Sequence, residues 1–347
     1  MVVSRICIRG AGAVSPAGWG VGALCDALAQ NRSLPVSHLP CPGRAQPLRV
    51  RRVPPPPNRP TFAAHPRLRR TSPIGQYATA AALEALGSPV PLTGTAASGL
   101  GIVYCAMAGC VNFSRRFYDE TLKNPATASP VIFPETVFNA PASHLGALLG
   151  TSGINYTLVG DPGTFLQGVA LAADWLTIGR VKGCLVVGAE ELDWLVAGAL
   201  ELFDPDSVAS EGAGALYLTA DCDGSDCVEL KAITNAYSFT SSRERAIAAR
   251  KARADLGTGS PDALLCDGLQ AVRRLDEPEL AAWQDWNGKR LSPKTICGEA
   301  FVASAAWQCV SAFEAISRQH HNTATVSILG INQQAIAARF ERTEPAR

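Results

Sequence analysis

The chain has 347 residues, 47% of them hydrophobic and 18% charged, a core-rich composition that excludes a disordered chain. Its formal net charge of +1 supplies no global field toward nucleic acid or an anionic membrane, so a charged partner has to be met by a local patch. This length holds two average domains or one large duplicated α/β unit.

The N-terminus, "MVVSRICIRGAGAVSP", runs straight into a strand and a glycine turn, without the apolar segment of a signal peptide. No stretch reaches the roughly 18 uncharged apolar residues that a membrane span needs. Eleven cysteines lie mostly inside apolar runs, where Cys behaves as a small buried hydrophobe, so reduced thiols and a cytoplasmic protein are expected. Cys222 and Cys227 in "DCDGSDC" have no second Cys/His pair, so no structural metal is expected.

Along the chain, β-rich runs ("SRICIRGAGAV", "GLGIVYCAMAG", "INYTLVG", "GCLVVGAEE", "GALYLTA") alternate with alanine-rich helical stretches ("WGVGALCDALAQN", "IGQYATAAALEALG", "ASHLGALLG", "FLQGVALAADWLTIG"). This alternation predicts an α/β sheet protein. Strands apolar throughout, such as "CLVVGAE", belong in a sheet covered on both faces, and several of the apolar helices should be central. Residues 41–73 are rich in proline and arginine and show no periodicity. They read either as a solvated surface excursion or as a docking patch for an acidic partner, since Arg67, Arg69 and Arg70 lead directly into a helix. A polar turn near residue 222 opens a second half, so residues 1–221 and 222–347 are expected to form two halves.

The order of these motifs resembles the β-ketoacyl synthase family of thiolase fold. "IRGAGAVSPAGWGVGALCDALAQNRS" is similar to the family's first strand, glycine turn and helix, and "RRTSPIGQYATAAALEALG" to its second helix. "SPVIFPETVFNAPASHLGALLGTSGINYTLVG" resembles the run leading to the nucleophile, and "VKGCLVVGAEEL" and "SEGAGALYLTA" the strands that close the first half. The resemblance covers residue 2 to about 340, in a chain shorter than usual mainly in its second half. It implies duplicated βαβαβ halves stacked as a five-layered αβαβα sandwich.

The family uses a cysteine at the N-terminus of a buried helix, where the dipole favours the thiolate, with two histidines and a lysine around it. Aligned on "GAEE" and "IG", the cysteine's position holds Pro162, which has no nucleophile. Asp267 stands at the first histidine, Lys294 is kept, and Glu299 stands at the second histidine. Gly330 and Asn332 remain of a loop that here reads "ILGINQQA". The chain's five histidines offer no obvious base: His144 reads as a packing or interface residue, and His320 and His321 as a solvated pair. Cys184 and Cys266 lie in buried strands, where an unactivated thiol is inert. Asp267 and Glu299 could run acid and base chemistry, with Thr164 as a nucleophile, but Lys294 beside them favours a salt-bridge cluster filling a vacated pocket.

A ketosynthase fold without its nucleophile resembles the chain-length factors of type II polyketide and aryl polyene systems. The resemblance implies an active β-ketoacyl synthase as heterodimer partner and an acyl carrier protein that brings a phosphopantetheine-borne chain, with no cofactor of the subunit's own. It also implies that Ile154, Tyr156 and Leu158 lie on the strand that pairs across the two-fold, and that Phe133, Val137 and Phe138 bound the acyl tunnel. Carrier docking would fall to Arg67, Arg69 and Arg70, although Ala126 and Thr127 replace the second basic pair. Two alternatives stay open: a stand-alone acyl-transferring or decarboxylating enzyme, and an acyl-carrier-binding scaffold.

Overall fold

The computed structural model describes residues 5–87, 92, 94–220, 227–257, 260 and 262–343. In the first half, β1 (Ile6–Ser15) and β2 (Gly18–Trp19) lead into α1 (Val21–Gln30), followed by β3 (Ser37–Leu39), β4 (Leu48–Arg51), α2 (Pro73–Leu86), α3 (Gly94–Gly99) and β5 (Leu100–Ala106). Next come α4 (Val111–Lys123), α5 (Ala140–Leu149), β6 (Asn155–Val159), α6 (Thr164–Thr177), β7 (Gly183–Glu190), α7 (Trp194–Phe203), β8 (Ala209–Ser210) and β9 (Gly212–Ala220). The second half runs β10 (Cys227–Ile233), β11 (Tyr237–Ser238), α8 (Ser242–Leu256), β12 (Leu264–Cys266), α9 (Arg273–Ala282) and β13 (Arg290–Leu291). It closes with α10 (Pro293–Cys297), α11 (Phe301–Ser317), β14 (Thr323–Leu329) and β15 (Gln334–Thr343).

The duplication is visible in the strand order. The first half reads β1-β9-β7-β5-β6 and the second β10-β15-β14-β12-β13. In each, two parallel pairings at the outer end give way to two antiparallel ones at the inner end. β1 and β10 pair antiparallel, which joins the halves into one continuous sheet path. α6 and α11 lie between the half-sheets, α2 and α5 cover the outer face of the first, and α8 with α9 covers the second. This is the expected five-layered αβαβα sandwich. The boundary expected at 221/222, and Cys222 with it, lies outside the described residues.

β5 and β7 are buried at every position, which is why their sequences are apolar without alternation. α11 is buried along nearly its whole length because small residues let it sit between two sheets. Its Trp307 donates Nε1–H to the carbonyls of Val14 (3.1 Å) and Ala213 (3.0 Å), so the central helix is bonded to the strands beside it. The packing of α2 is equally close: a Cβ on Gly12 would sit 1.9 Å from the Ala81 carbonyl oxygen. Gly12→Ala is therefore expected to destabilise the chain by about 3 kcal/mol, the upper range for overpacking a core. An unchanged urea midpoint would contradict this contact.

Two expectations need correction. Residues 41–73 are not irregular throughout, because β4 pairs with β3 and β8 in a separate three-stranded sheet. Leu48 and Val50 alternate inward against α7, and Phe62 and Leu68 are buried against Leu148. A period-two signal only four residues long is hidden among the prolines around it. Cys7, buried in β1, is disulfide-bonded and is not the reduced thiol expected; its Sγ also lies at hydrogen-bonding distance, 3.1 Å, from Cys227 Sγ. Among the described residues, no helix is long and apolar enough to cross a membrane, and no group of three or more His, Cys, Asp or Glu is arranged to hold a metal.

Candidate functional site

The link between β6 and α6, Gly160-Asp161-Pro162-Gly163, places Pro162 at the buried N-terminus of the central helix. The residue before it was not singled out in the sequence, yet it organises the site. Asp161 is fully buried, and its Oδ1 accepts from Gly163 N–H (3.1 Å) and from the Gln334 side chain (3.0 Å). Its Oδ2 accepts from the backbone amides of Gln333 and Gln334, both at 3.2 Å. An internal carboxylate thus occupies the positive end of α6, where an anion is favoured. Burial pushes the Asp161 carboxyl up, while these four hydrogen bonds pull it down. Gly330 is explained by the same contact, since a Cβ there would lie 1.8 Å from Asp161 Oδ2. Thr164 is buried in the first helical turn, its amide donating to the Asp161 carbonyl (2.9 Å).

The second-half residues split into two buried groups. Lys294 Nζ lies 2.8 Å from Glu299 Oε2, and Glu299 Oε1 accepts from Phe301 N–H and Ser304 Oγ–H, both at 2.8 Å. Asp267 accepts from Ser292 Oγ (2.5 Å) and pairs with Arg290 at 3.2 Å. Burial pushes its carboxyl up, opposed by Ser292 and Arg290. Between the groups stands Glu279 of α9, which the sequence reading missed because a helix glutamate four residues before a tryptophan carries no motif. It accepts from Ser327 Oγ (2.5 Å) and from Gly268 N–H (3.1 Å). Burial and the charge of Asp267 push its carboxyl up to about 7. Arg245, also buried, donates to the carbonyls of Gly330 (3.2 Å) and Leu275 (2.9 Å) and connects this cluster to the loop against Asp161. The single cluster expected around Lys294 is therefore two ion pairs with different partners, because Arg290 reaches Asp267 from β13 while Lys294 rises from α10.

Buried carboxylates whose folded values are raised bind protons more tightly in the folded chain. Glu279 rises to about 7, and Glu190, buried behind the amides of Met107 and Ala108, rises to about 8. Their unfolded values lie near about 4.3. The folded chain then holds more protons than the unfolded one between roughly pH 4.3 and pH 8, so stability falls as pH rises through that window. Urea midpoints at pH 5 and pH 8 should show the fall; a higher midpoint at pH 8 would refute it.

Cys184 and Cys266 sit as unactivated thiols in buried strands. Burial pushes Cys184 up to about 12 and raises Cys266 as well. His144 is buried on α5, its Nε2 at 2.8 and 2.9 Å from the two Glu135 oxygens. His320 is exposed, and His321 is half-buried with Nδ1 3.1 Å from the Asp262 carbonyl oxygen.

On the surface, Arg67 and Arg70 share a groove of about 710 Å³ with Arg116, Ile132, Glu135 and His144. Arg69 is exposed outside that lining. Arg116, from α4, is an addition that no linear motif announces. β6 ends the sheet path, with no further strand beyond it among the described residues. Tyr156 is 53% exposed there and packs edge-on against Trp175. Ile154 and Leu158 are partly buried against the core. They pack on the α6 side of β6, while Tyr156 and Val159 are each 53% exposed. Phe133 (56%), Phe138 (40%) and Val137 (42%) all stand exposed, with Phe133 5.3 Å from the Phe117 ring.

No family model matches the chain. A curated protein, β-ketoacyl-acyl-carrier-protein synthase III of Granulibacter bethesdensis, is 35% identical over 98 residues, which is 27% of this chain and 29% of that protein. The chain thus matches less than a third of that relative's length. Among solved structures, a ketosynthase in complex with its chain length factor from Xenorhabdus doucetiae superposes with a TM-score of 0.79 at 13% identity, covering 98% of both chains. A structure of a type II PKS acyl-carrier protein in complex with its ketosynthase, bound to the hexaketide, gives 0.78 at 16% identity, covering 99% of this chain and 100% of that one. At such identities the likeness establishes the fold, and the fold is that of the thiolase-like ketosynthases and chain length factors.

Proposed function

We propose that this chain is a chain-length-factor-like subunit that pairs with an active β-ketoacyl synthase in the cytoplasm and shapes the tunnel in which a polyketide or polyene chain grows. The observation that carries the proposal is the α6 N-terminus. Pro162 supplies no nucleophile there, and Asp161 already holds the amide and glutamine donors that would stabilise an anion. Supporting it are the exposed apolar side chains of Tyr156, Phe133, Val137 and Phe138 and a β6 edge with no further strand beyond it among the described residues. The growing chain would arrive on the phosphopantetheine of a partner acyl carrier protein, for which the groove of Arg67, Arg70 and Arg116 offers basic contacts. The stand-alone enzyme reading draws less support, since Asp267 and Glu299 are engaged by Arg290, Ser292, Lys294 and Ser304.

The test is co-expression with the ketosynthase encoded nearest to it, followed by native mass and a malonyl-carrier condensation assay on each subunit and on both. A one-to-one complex, active only when both are present, is the expected result. A homodimer that turns over an acyl carrier by itself would overturn the proposal and return attention to Asp267, Glu299 and Thr164.

A further inference from the structure

A second groove, of about 650 Å³, opens where the C-terminal half of α11 faces α1 and β13, away from the α6 N-terminus. Ser311, Glu314, Ala315 and Arg318 line it from α11 at the i, i+3, i+4 and i+7 spacing of one helix face. Leu28, Leu264 and Leu291 supply apolar walls. At the Arg318 end, Lys289, His320 and His321 gather where this groove meets a neighbouring one, which they also line. Asp26 and Glu314 are the acids on the lining, and Glu314 is already paired with Arg318 at 2.9 Å.

Ser311 marks the other end. A serine inside a helix usually returns its hydroxyl to the carbonyl four residues earlier or leaves it in water. Here the side chain is buried and Oγ has no hydrogen-bond partner, a state that buried hydroxyls rarely keep. From Ser311 to Arg318 is seven residues, about 10 Å along the helix axis. The groove therefore presents, in order, an unsatisfied hydroxyl, an apolar trough and a cluster of cationic and imidazole donors.

We infer that this groove binds a medium-chain carboxylate bearing an oxygen at its far end, with the carboxylate on Lys289, Arg318 and the histidine pair and the terminal oxygen accepting from Ser311 Oγ–H. The apolar chain between them lies on Leu28, Leu264, Leu291 and Ala315. This site is separate from the proposed acyl tunnel, and it gives the His320–His321 pair a role beyond a solvated loop.

Isothermal titration of the full chain with 8-hydroxyoctanoate, octanoate and inorganic phosphate tests it. The expected order is 8-hydroxyoctanoate tighter than octanoate by at least threefold, with no saturable binding of phosphate. Ser311→Ala should erase the advantage of the hydroxylated probe while leaving octanoate binding unchanged, a difference that a folding defect cannot mimic. Ala315→Phe, which fills the trough, should weaken both probes at least tenfold, and Lys289→Glu should weaken both severalfold. Equal affinities for the two octanoates in the wild type, binding indifferent to Ala315→Phe, or phosphate binding as tightly as octanoate would each overturn the assignment.

Discussion

Replacing Lys294 by methionine is expected to destabilise the chain by about 4 kcal/mol, the range for breaking a buried ion pair by removing one partner. The lysine and Glu299 are both buried, with Nζ 2.8 Å from Oε2, so the substitution leaves a carboxylate without its counter-charge. Glu299 also accepts from Phe301 N–H, and Phe301 adopts a positive φ of 47°, a conformation that a large side chain holds only when its surroundings impose it. Converting Glu299 to glutamine in the same chain removes the charge but keeps an acceptor for Phe301 and Ser304. Lys294→Met/Glu299→Gln should therefore recover most of the loss. Urea denaturation of the two single variants and the double variant gives the coupling between the residues directly. A Lys294→Met chain that keeps its stability yet fails in a condensation assay would show that the lysine serves chemistry instead of the fold.

The second large effect concerns product length. In the assembled complex, Phe138→Ala is expected to lengthen the product and Phe138→Trp to shorten it, with mass spectrometry of the released chains as the readout. The Phe138 ring is half-exposed, and its other side lies against Gly109, where a Cβ would sit 2.6 Å from Cδ1. Backed in this way, the ring cannot retreat into its own subunit, so a change in its size is felt on the outer side. Overpacking an apolar site typically costs 1–3 kcal/mol, roughly a 5- to 160-fold change in how often one more extension fits. Phe133, against Phe117, is the comparison position and should give a smaller shift in the same direction. Identical products from small and large residues at both positions would remove these side chains from the tunnel.

These predictions draw on information of two kinds. Strand and helix identity, the alternation that makes an α/β sandwich, and the proline just before α6 were determined by local sequence. Apolar periodicity and a proline's missing N–H act over a few residues and need no partner to be read. The order of motifs also located Asp267, Lys294 and Glu299, because the turns that carry them follow short apolar strands. Tertiary structure alone decided what those residues touch. Asp161 became the anion at the α6 N-terminus only because Gln333 and Gln334 return from more than 170 positions away in the chain to meet it. Glu279 and Arg245 joined the buried cluster because α9 and α8 pack over the second half-sheet, a placement that no single helix sequence specifies. The inward turn of Ile154 and Leu158 was likewise set by α6 packing on one side of β6. Hydrogen bonds and ion pairs across long sequence separation depend on the distance between folded elements, and that distance is a property of the packed layers.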